Sequence, residues 1–469
     1  MKGIVGHAVR IPTCRIAREE IARAWQTSSS PGGHKRVGRF DEDALTLAAA
    51  AALDCQSSLG GAEEVDGLFF TSTTGPYLER SNASLIAALC DLPEKCSTLD
   101  LAASLRGGTS GLRLALTGLN SGSSATIVCA GDCREAEPGS AEEMLYSDGG
   151  AAIAAGTQNV IAELIADATA YDDFFDAVRR DRDVHVTSFA SKFSIERGYI
   201  APIAKVVGDV LGQAGKSAKD IAKFVVPSPD RRAQQQLAKK LGFSEAQLQD
   251  IQFNDGGITG TAMPLVLLSI ALESAKPDDL LLVAGYGNGA DAMLFRATNY
   301  INSYKLHSPS SVQKAVAVDY KSYTLYRRAR EFFRSADQGL EISNIFYAKE
   351  EPQIVRLHGS ACRHCGTRQF PVAQVCVGCK KGDGLEEVAL ARTGTIYTFS
   401  EDTLYPSPFP PTVMAVVDLD GGGRIYCEVV DVPPSEVKIG MSVELTPRKL
   451  KEGGGLYHYY WKCTPRRGK

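Results

Sequence analysis

The sequence predicts an α/β domain followed by a small metal-binding ribbon and a small β-barrel. Three observations support this organisation. Over residues 1–300, β-like apolar runs alternate with alanine-rich helical stretches, which is the signature of βαβ units. Paired cysteines follow at 362–379, and after them come short β-like runs separated by glycine-rich turns. A chain of 469 residues is long enough for two or three such domains.

Changes in pattern give the domain boundaries. The α/β alternation stops at the polar segment 301–310, so we place a linker there. We assign four regions, namely the α/β domain at 1–305, a linker and helical segment at 306–356, the ribbon at 357–390 and the barrel at 391–469.

Hydrophobic pattern predicts the elements within these regions. Continuous apolar runs predict strands of the α/β domain at 67–72, 125–131, 222–227 and 280–286. Helical spacing predicts helices at 43–52, 233–241 and 312–334. Short β-like runs predict barrel strands at 394–400, 412–419 and 424–430.

Composition narrows the functional classes. Apolar residues make up 44% and charged residues 23%, as in ordinary globular proteins, and no run approaches the roughly 18 apolar residues of a membrane span. The start, Met1–Val9, resembles a buried strand rather than a signal peptide. Twelve cysteines, four of them at metal spacing, fit a reducing compartment. We therefore expect a cytoplasmic protein that does not enter a membrane.

The four cysteines at 362–379 give the clearest chemical signal. They read C-R-H-C, ten further residues, then C-V-G-C, and they are Cys362, Cys365, Cys376 and Cys379. Each pair places two thiolates on one tight turn, and two such turns supply the four sulphur ligands of tetrahedral zinc. A redox dithiol would need only one pair. No histidine or glutamate sits at ligand spacing to activate water, so the sequence predicts a structural zinc ion.

Motifs of the first 300 residues resemble the thiolase superfamily and, within it, the 3-hydroxy-3-methylglutaryl-CoA (HMG-CoA) synthases of the archaeal type. The matches occur in the family's order. They lie at 15–25, 41–48, 72–77 (S-T-T-G-P-Y), 107–112 (G-G-T-S-G-L), 147–152 (S-D-G-G-A-A), 239–243 and 285–292 (G-Y-G-N-G-A-D-A). The resemblance implies the five-layered αβαβα thiolase fold and a domain that forms dimers.

Residues from about 312 to 465 resemble the OB-fold/zinc-ribbon proteins that accompany thiolases and these synthases. The matching parts are the cysteine quartet and the segments 394–397, 410–411, 416–418 and 439–443. The resemblance implies a helical segment, a rubredoxin-like zinc ribbon and an OB-fold barrel. It also implies a role in holding a CoA thioester at a subunit interface, with a catalytic thiolase as the partner.

The resemblance also indicates where catalytic residues should lie, beginning with the nucleophile. In the family, a cysteine thiolate at a helix N-terminus attacks the thioester, where the helix dipole lowers the thiol pKa. The corresponding stretch is D-L-A-A-S-L-R-G-G-T at 100–109, and counting from either end places Leu105 in the cysteine position. A leucine cannot attack a thioester. Ser104 is adjacent and is the remaining candidate, but neighbouring helical positions point about 100° apart.

The other catalytic positions are also altered. The resemblance places the acid/base glutamate at Thr73 and the histidine at Pro227 or Val226, and none of these side chains carries a suitable proton. Asn254, in F-N-D-G-G-I-T-G, is the candidate for the family's asparagine-bearing loop. The loss of nucleophile, acid/base and histidine together indicates that the domain no longer performs the family reaction.

Three functional interpretations therefore stand. The first is a non-catalytic subunit that docks a catalytic thiolase, as a homodimer or within a hetero-oligomer, and helps to bind acyl-CoA during C–C bond formation or cleavage of a 3-oxoacyl-CoA. The second is an active acyltransferase that uses Ser104, or a cysteine that the motif comparison assigns to the wrong position.

The third interpretation is nucleic-acid binding, because OB-folds and zinc ribbons occur in such proteins and basic residues with aromatic neighbours fill 448–469. We rank it last. Residues 311–469 carry 22 basic and 18 acidic side chains, and this excess of positive charge is small for a nucleic-acid-binding region. Residues 1–310 carry 29 basic and 37 acidic side chains.

Overall fold

The computed structural model describes the chain except for residues 28, 60–64, 120–123, 190–191, 310–314, 329–342, 405–406, 409, 454 and 468–469. The chain divides into two compact units. The first comprises residues 1–38 and 43–320, and the second comprises residues 39–42 and 321–469. The ribbon and the barrel thus share one unit, and the first unit extends past the boundary predicted at 305.

Nine strands of the first unit form one mixed sheet, and the other five form two small sheets. The fourteen strands are β1 (Gly3–Arg10), β2 (Cys14–Ala17), β3 (His34–Arg36), β4 (Val65–Ser72), β5 (Ser97–Ala102), β6 (Ala125–Asp132), β7 (Gly149–Gly156), β8 (Ala162–Tyr171), β9 (Ala177–Val178), β10 (Thr187–Ser188), β11 (Lys223–Val225), β12 (Leu280–Tyr286), β13 (Gly289–Ala297) and β14 (Val316–Ala317). The large sheet has the order β11-β12-β13-β8-β1-β7-β6-β4-β5.

Helices cover the two halves of this sheet and lie between them. They are α1 (Arg18–Ala24), α2 (Ala44–Ser57), α3 (Asn82–Leu89), α4 (Gly107–Gly118), α5 (Ala141–Leu145), α6 (Lys192–Ser194), α7 (Ala201–Ala214), α8 (Arg231–Leu241) and α9 (Met263–Ser274). Helices α4 and α9 contact strands of both halves, whereas α2 packs on β1, β6 and β7 and α7 packs on β8, β12 and β13. Helices and half-sheets therefore alternate in five layers, as predicted.

Glycines in β6 and β7 allow α2 to pack closely against these strands. Asp43 caps the helix by accepting a hydrogen bond from the Thr46 backbone N–H at 2.9 Å, which confirms the predicted start. A Cβ on Gly131 would lie 2.1 Å from the carbonyl oxygen of Ala44, and one on Gly150 would lie 2.6 Å from that of Leu47. Glycine is required at both strand positions because the helix backbone lies directly against them.

The second unit holds the remaining elements. They are α10 (Tyr320–Arg327, which begins at the last residue of the first unit), α11 (Asn344–Ile354), β15 (His358–Cys362), β16 (Arg368–Gln369), β17 (Leu385–Ala389), β18 (Thr393–Asp402), β19 (Thr412–Leu419), β20 (Arg424–Glu428), β21 (Ser442–Gly453) and β22 (Leu456–Pro465). Of the helix predicted at 312–334, the described part is α10, and residues 312–314 and 329–334 lie outside the described residues.

The barrel has the strand order β20-β19-β18-β21-β22. A bridge between Val429 and Cys463 brings the first and last strands together, which closes the sheet. Trp461 on β22 is fully buried and donates its indole N–H to the carbonyl oxygen of Val355 at 3.1 Å. One of the aromatic residues within 448–469 is thus part of the barrel core.

No helix among the described residues is long and apolar enough to cross a membrane.

Candidate active site and metal centre

The loop between β5 and α4 forms a sharp elbow at the predicted nucleophile position. Ala103 has φ +71°, a conformation that non-glycine residues rarely adopt, and it turns the chain from strand into helix. Leu105 follows at half-buried depth, before the first turn of α4. A Cβ on Gly108 would lie 2.4 Å from the Thr261 carbonyl oxygen, so α4 begins in close contact with the loop before α9. The backbone therefore forms an elbow at this position, and the residue at the predicted nucleophile position is Leu105.

Gly287 also packs against the elbow. A Cβ at this position would lie 3.0 Å from the backbone nitrogens of both Leu105 and Arg106. Gly287 also has φ +147°. The two backbone N–H groups therefore face a position that only glycine can occupy, which leaves space beside the helix N-terminus.

The Ser104 hydroxyl is already engaged. Its Oγ donates to the carbonyl oxygen of Gly287 at 2.9 Å and so ties the elbow to the turn after β12. The histidines of the first 300 residues lie elsewhere: His7 stacks on Tyr304 at 5.2 Å, His34 lies 3.9 Å from Asp255, and His185 lies 2.9 Å from Glu137. Burial lowers the pKa of His7 to about 3, so it is neutral at physiological pH.

Thr73 is held by a fully buried carboxylate, Asp132, at the end of β6. The Thr73 backbone N–H and hydroxyl donate to Asp132 Oδ1 at 2.7 and 3.1 Å. The hydroxyls of Ser72 and Thr74 donate to the same oxygen at 3.0 and 2.9 Å, and Thr261 donates to Oδ2 through its backbone N–H at 2.8 Å. Thr73 therefore serves as a hydrogen-bond donor that fixes this loop.

A second buried carboxylate, Asp291 on β13, holds the first turn of α4. It accepts hydrogen bonds from the hydroxyls of Thr109, Ser110 and Thr169 at 3.1, 2.6 and 2.6 Å. The Arg106 guanidinium lies 3.6 Å away. The two aspartates thus fix the elbow and the loop beside it.

Sequence analysis missed both aspartates. The available signal was a single carboxylate inside an otherwise apolar strand, in C-A-G-D at 129–132 and in A-D-A-M at 290–293. A carboxylate at such a position must be hydrogen-bonded when buried, and the serine- and threonine-rich segments nearby supply the donors.

The structure does not bring Pro227 and Asn254 into a catalytic arrangement. Pro227 is buried after β11, and the next residue, Ser228, donates its hydroxyl to the carbonyl oxygen of Asp230 at 2.7 Å. Asn254 is exposed, and its carbonyl oxygen accepts the His34 backbone N–H at 2.8 Å. Pro227 has no proton to transfer, and the contact described for Asn254 is made through its backbone.

Buried arginines fix the loop that carries Asn254. Arg18 is fully buried and donates to the carbonyl oxygens of Phe253 and Gly256 at 2.6 and 3.3 Å. Arg36 donates to that of Asp255 at 2.8 Å. The loop is therefore held through its backbone carbonyl oxygens.

Two of the other cysteines in this region differ in accessibility. Cys129 is fully buried within β6 and has a pKa raised by burial, so it cannot act as a nucleophile. Cys133 is half-buried, and its backbone N–H donates to the Thr74 hydroxyl at 2.9 Å. Cys133 is thus the cysteine to monitor in any test of covalent acylation.

We expect Asp132→Asn to destabilise the first unit strongly. An amide cannot accept all the hydrogen bonds that the carboxylate accepts, and its NH₂ group would face donors, so we expect a loss of about 3 kcal/mol in the free energy of unfolding. Urea denaturation would measure it. Glu79→Gln is the matched control because this acid is exposed and lies seven residues after Ser72. A loss below about 1 kcal/mol in Asp132→Asn would contradict the role given to Asp132.

The four cysteines converge at the end of the ribbon sheet. The Sγ atoms of Cys362 and Cys379 are 3.7 Å apart, those of Cys365 and Cys376 are 3.5 Å apart, and all four lie within 4.8 Å of one another. A tetrahedral ion with sulphur ligands at about 2.3 Å places its ligands about 3.8 Å apart. The separations within the quartet are therefore compatible with a bound zinc ion.

Each cysteine pair belongs to a turn of the same construction. The backbone N–H of Gly366 donates to the Cys362 carbonyl oxygen at 2.8 Å, and that of Lys380 donates to the Cys376 carbonyl oxygen at 3.0 Å. Both residues have positive φ, +72° and +63°. Gly378, within the second pair, packs closely, because a Cβ there would lie 2.6 Å from the Thr367 hydroxyl.

Two known families match parts of the chain. Residues 211–296 match the family described as 3-oxoacyl-[acyl-carrier-protein] synthase III, C terminal. Residues 387–448 match the family described as ChsH2, C-terminal OB-fold domain. The second match confirms the predicted OB-fold, and the first supports the resemblance of residues 1–300 to the thiolase superfamily.

Curated relatives extend the first match over most of the chain. The hydroxymethylglutaryl-CoA synthase of Methanosphaera stadtmanae is 29% identical over 342 residues, which cover 70% of this chain and 98% of that protein. The hydroxymethylglutaryl-CoA synthase of Archaeoglobus fulgidus is 29% identical over 341 residues, which cover 70% of this chain and 99% of that protein.

Solved structures agree on the fold. An HMG-CoA synthase complexed with CoA superposes with a TM-score of 0.60 at 14% identity, covering 69% of this chain and 89% of that one. MvaS in complex with HMG-CoA gives 0.59 at 17% identity, covering 69% and 91%. The 3-oxoacyl-[acyl-carrier-protein] synthase III of Aquifex aeolicus gives 0.57 at 17% identity, covering 63% and 100%. The five-layered arrangement is therefore the thiolase-like fold.

Proposed function

We propose that this chain, in which an HMG-CoA synthase-like domain of the thiolase superfamily is joined to a C-terminal OB-fold domain of the ChsH2 type, is a non-catalytic subunit of an acyl-CoA complex. It would dock a catalytic thiolase and help to bind the CoA thioester while the partner forms or cleaves a C–C bond of a 3-oxoacyl-CoA. The protein would act in the cytoplasm, as a homodimer or within a hetero-oligomer.

The observation that carries this proposal is Leu105 at the elbow. Its side chain has no lone pair with which to attack a thioester, yet the elbow around it keeps the close glycine contacts and the two aspartates that hold it. A condensing enzyme requires the nucleophile for catalysis, whereas a docking subunit requires only the folded domain. Thr73 and Pro227 support the same conclusion, since neither can transfer a proton at neutral pH.

The second unit supplies the proposed ligand-binding module. We assign zinc to Cys362, Cys365, Cys376 and Cys379, because four sulphurs at tetrahedral spacing leave no open position for water and the ion would be structural. Relatives of the first domain are described in complexes with CoA and with HMG-CoA, and these descriptions support acyl-CoA as the ligand class. Fusion of the module to the domain would raise its effective concentration beside the substrate.

Native mass spectrometry of the chain, tagged and purified gently from its own cells, tests the docking role. We expect a second polypeptide of the thiolase type at fixed stoichiometry, and condensing or cleaving activity only in that complex. An untagged wild-type strain is the control for nonspecific capture. The proposal would be contradicted if only a homodimer is recovered and the isolated chain itself forms or cleaves the C–C bond.

A further inference from the structure

A cleft of about 390 Å³ lies within the second unit, between the zinc ribbon and the hairpin that joins β19 to β20 of the barrel. The ribbon lines it with Arg368, Phe370 and Val377, and the barrel lines it with Leu419 and Arg424. Small-molecule sites in proteins have volumes of about 300–1,000 Å³. The cleft therefore has the size of a small-ligand site and combines apolar surface with two guanidinium groups.

Glycines bring the hairpin against the ribbon. Gly422 and Gly423 have φ +113° and +95°. A Cβ on Gly422 would lie 3.0 Å from the Cβ of Arg368, and one on Gly423 would lie 3.2 Å from Leu390 Cδ1. The Leu419 backbone N–H donates to the Gly423 carbonyl oxygen at 3.0 Å and closes the hairpin. One wall of the cleft is thus formed by backbone that contacts the ribbon directly.

Gln369 fixes the wall that the ribbon supplies. Its side chain is buried, its Nε2 donates to the Val375 carbonyl oxygen at 3.1 Å, and its Oε1 accepts the Val377 backbone N–H at 2.9 Å. Lys380 Nζ donates to the Val377 carbonyl oxygen at 2.8 Å. Val377 is therefore held in place at the cleft, and an ammonium group lies next to it.

Arg424 offers the cleft a flat surface. Its Nε and Nη2 donate to the two carboxylate oxygens of Asp418 at 2.6 and 3.0 Å, so its charge is compensated. Its guanidinium carbon lies 4.0 Å from the centroid of the Tyr397 ring. The side chain is still 51% exposed. A planar guanidinium held in this way can stack on an aromatic ring of a ligand.

Arg368 offers the cleft a charge. Its side chain is exposed, and within the described part of the chain its guanidinium has no hydrogen-bond or ion-pair partner. A guanidinium without a partner binds phosphate through two parallel hydrogen bonds. Together with the apolar side chains of Phe370 and Leu419, the two arginines therefore suit a ligand that carries a flat ring and a phosphate.

We propose that this cleft binds a mononucleotide, with the phosphate on Arg368 and the base stacked on Arg424. The inference goes beyond the proposed function, because nucleotide binding in this cleft requires neither a thiolase partner nor a thioester. It rests only on contacts inside the second unit.

Calorimetric titration of the full-length, zinc-loaded protein tests the inference. The ligands are adenosine 5′-monophosphate (AMP) and its two halves, adenosine and ribose 5-phosphate. We expect saturable binding of one AMP per chain, and at least about tenfold weaker binding of either half, because each half makes only part of the contacts. Arg368→Gln should weaken AMP about tenfold and leave adenosine unchanged, because only the phosphate contact is lost.

Arg424→Ala should have a different effect. We expect it to weaken both AMP and adenosine about tenfold and to leave ribose 5-phosphate unchanged, because base stacking is lost. Lys438→Gln removes an exposed cation outside the cleft and is the control, which should bind AMP like the wild type. Zinc content and thermal unfolding verify that each variant is folded.

The inference is overturned if AMP shows no saturable binding, or if both arginine variants bind AMP as tightly as the wild type. Such a result leaves the proposed function standing, because co-purification with a thiolase is measured without added nucleotide. Conversely, recovery of the chain without a thiolase does not alter the expected AMP titration.

Discussion

The intact chain, incubated with acetyl-CoA or acetoacetyl-CoA, should acquire no covalent acyl group. The residue at the elbow is Leu105, the Ser104 hydroxyl is committed to Gly287, and no histidine or glutamate occupies the predicted positions from which to activate either residue. Removal of a nucleophile that works as part of a unit typically lowers the rate by about 10⁴–10⁶-fold. Intact-protein mass spectrometry, followed by peptide mapping, would detect an adduct at any position.

Leu105→Cys makes this experiment sharper. A thiol at residue 105 would lie beside the N-terminus of α4, where the helix dipole lowers its pKa. We expect the variant to become acylated but not to condense two acyl groups, because Thr73 and Pro227 still supply no acid or base. Ser104→Ala is the control and should behave like the wild type. An adduct on Ser104 or Cys133 of the wild type would favour the acyltransferase interpretation instead.

Loss of the metal should unfold the ribbon. Structural zinc in small modules contributes an apparent binding free energy of about 10–16 kcal/mol at neutral pH, far more than so small a sheet gains by packing. In Cys376→Ser, which replaces a fully buried ligand, we expect the bound zinc to fall from one equivalent to none and the segment 357–390 to become sensitive to proteolysis. Metal analysis by mass spectrometry and limited proteolysis would measure these changes.

Cys427→Ser is the matched control for the ligand variant. This cysteine is equally buried but lies in β20 of the barrel, outside the quartet, so its replacement should leave the zinc content at one equivalent. Thermal unfolding of the first unit should be the same in both variants. Retention of a full equivalent of zinc in Cys376→Ser, or absence of zinc from the wild type, would contradict the assignment.

Local patterns were sufficient for much of the architecture. Strand β12 was predicted at 280–286 and strand β19 at 412–419, and both have these bounds in the structure. Such strands are short, apolar and bounded by turn residues, so their signal lies in adjacent positions. The C-terminal limit of the α/β domain was harder to predict from the sequence, because residues 306–320 have no strong periodicity. Their placement in the first unit depends on contacts with distant strands, such as the pairing of β14 with β2.

The sequence alone determined the identity of the elbow residue and the grouping of the four cysteines, because both depend on short spacings that the chain carries locally. Only the tertiary structure decided which oxygens accept the hydrogen bonds of Ser104 and Thr73, and it brought Asp132 to Thr261 across a long stretch of chain. The physical reason is that burial makes each of these polar groups find a partner, and the partner is selected by packing rather than by proximity in sequence.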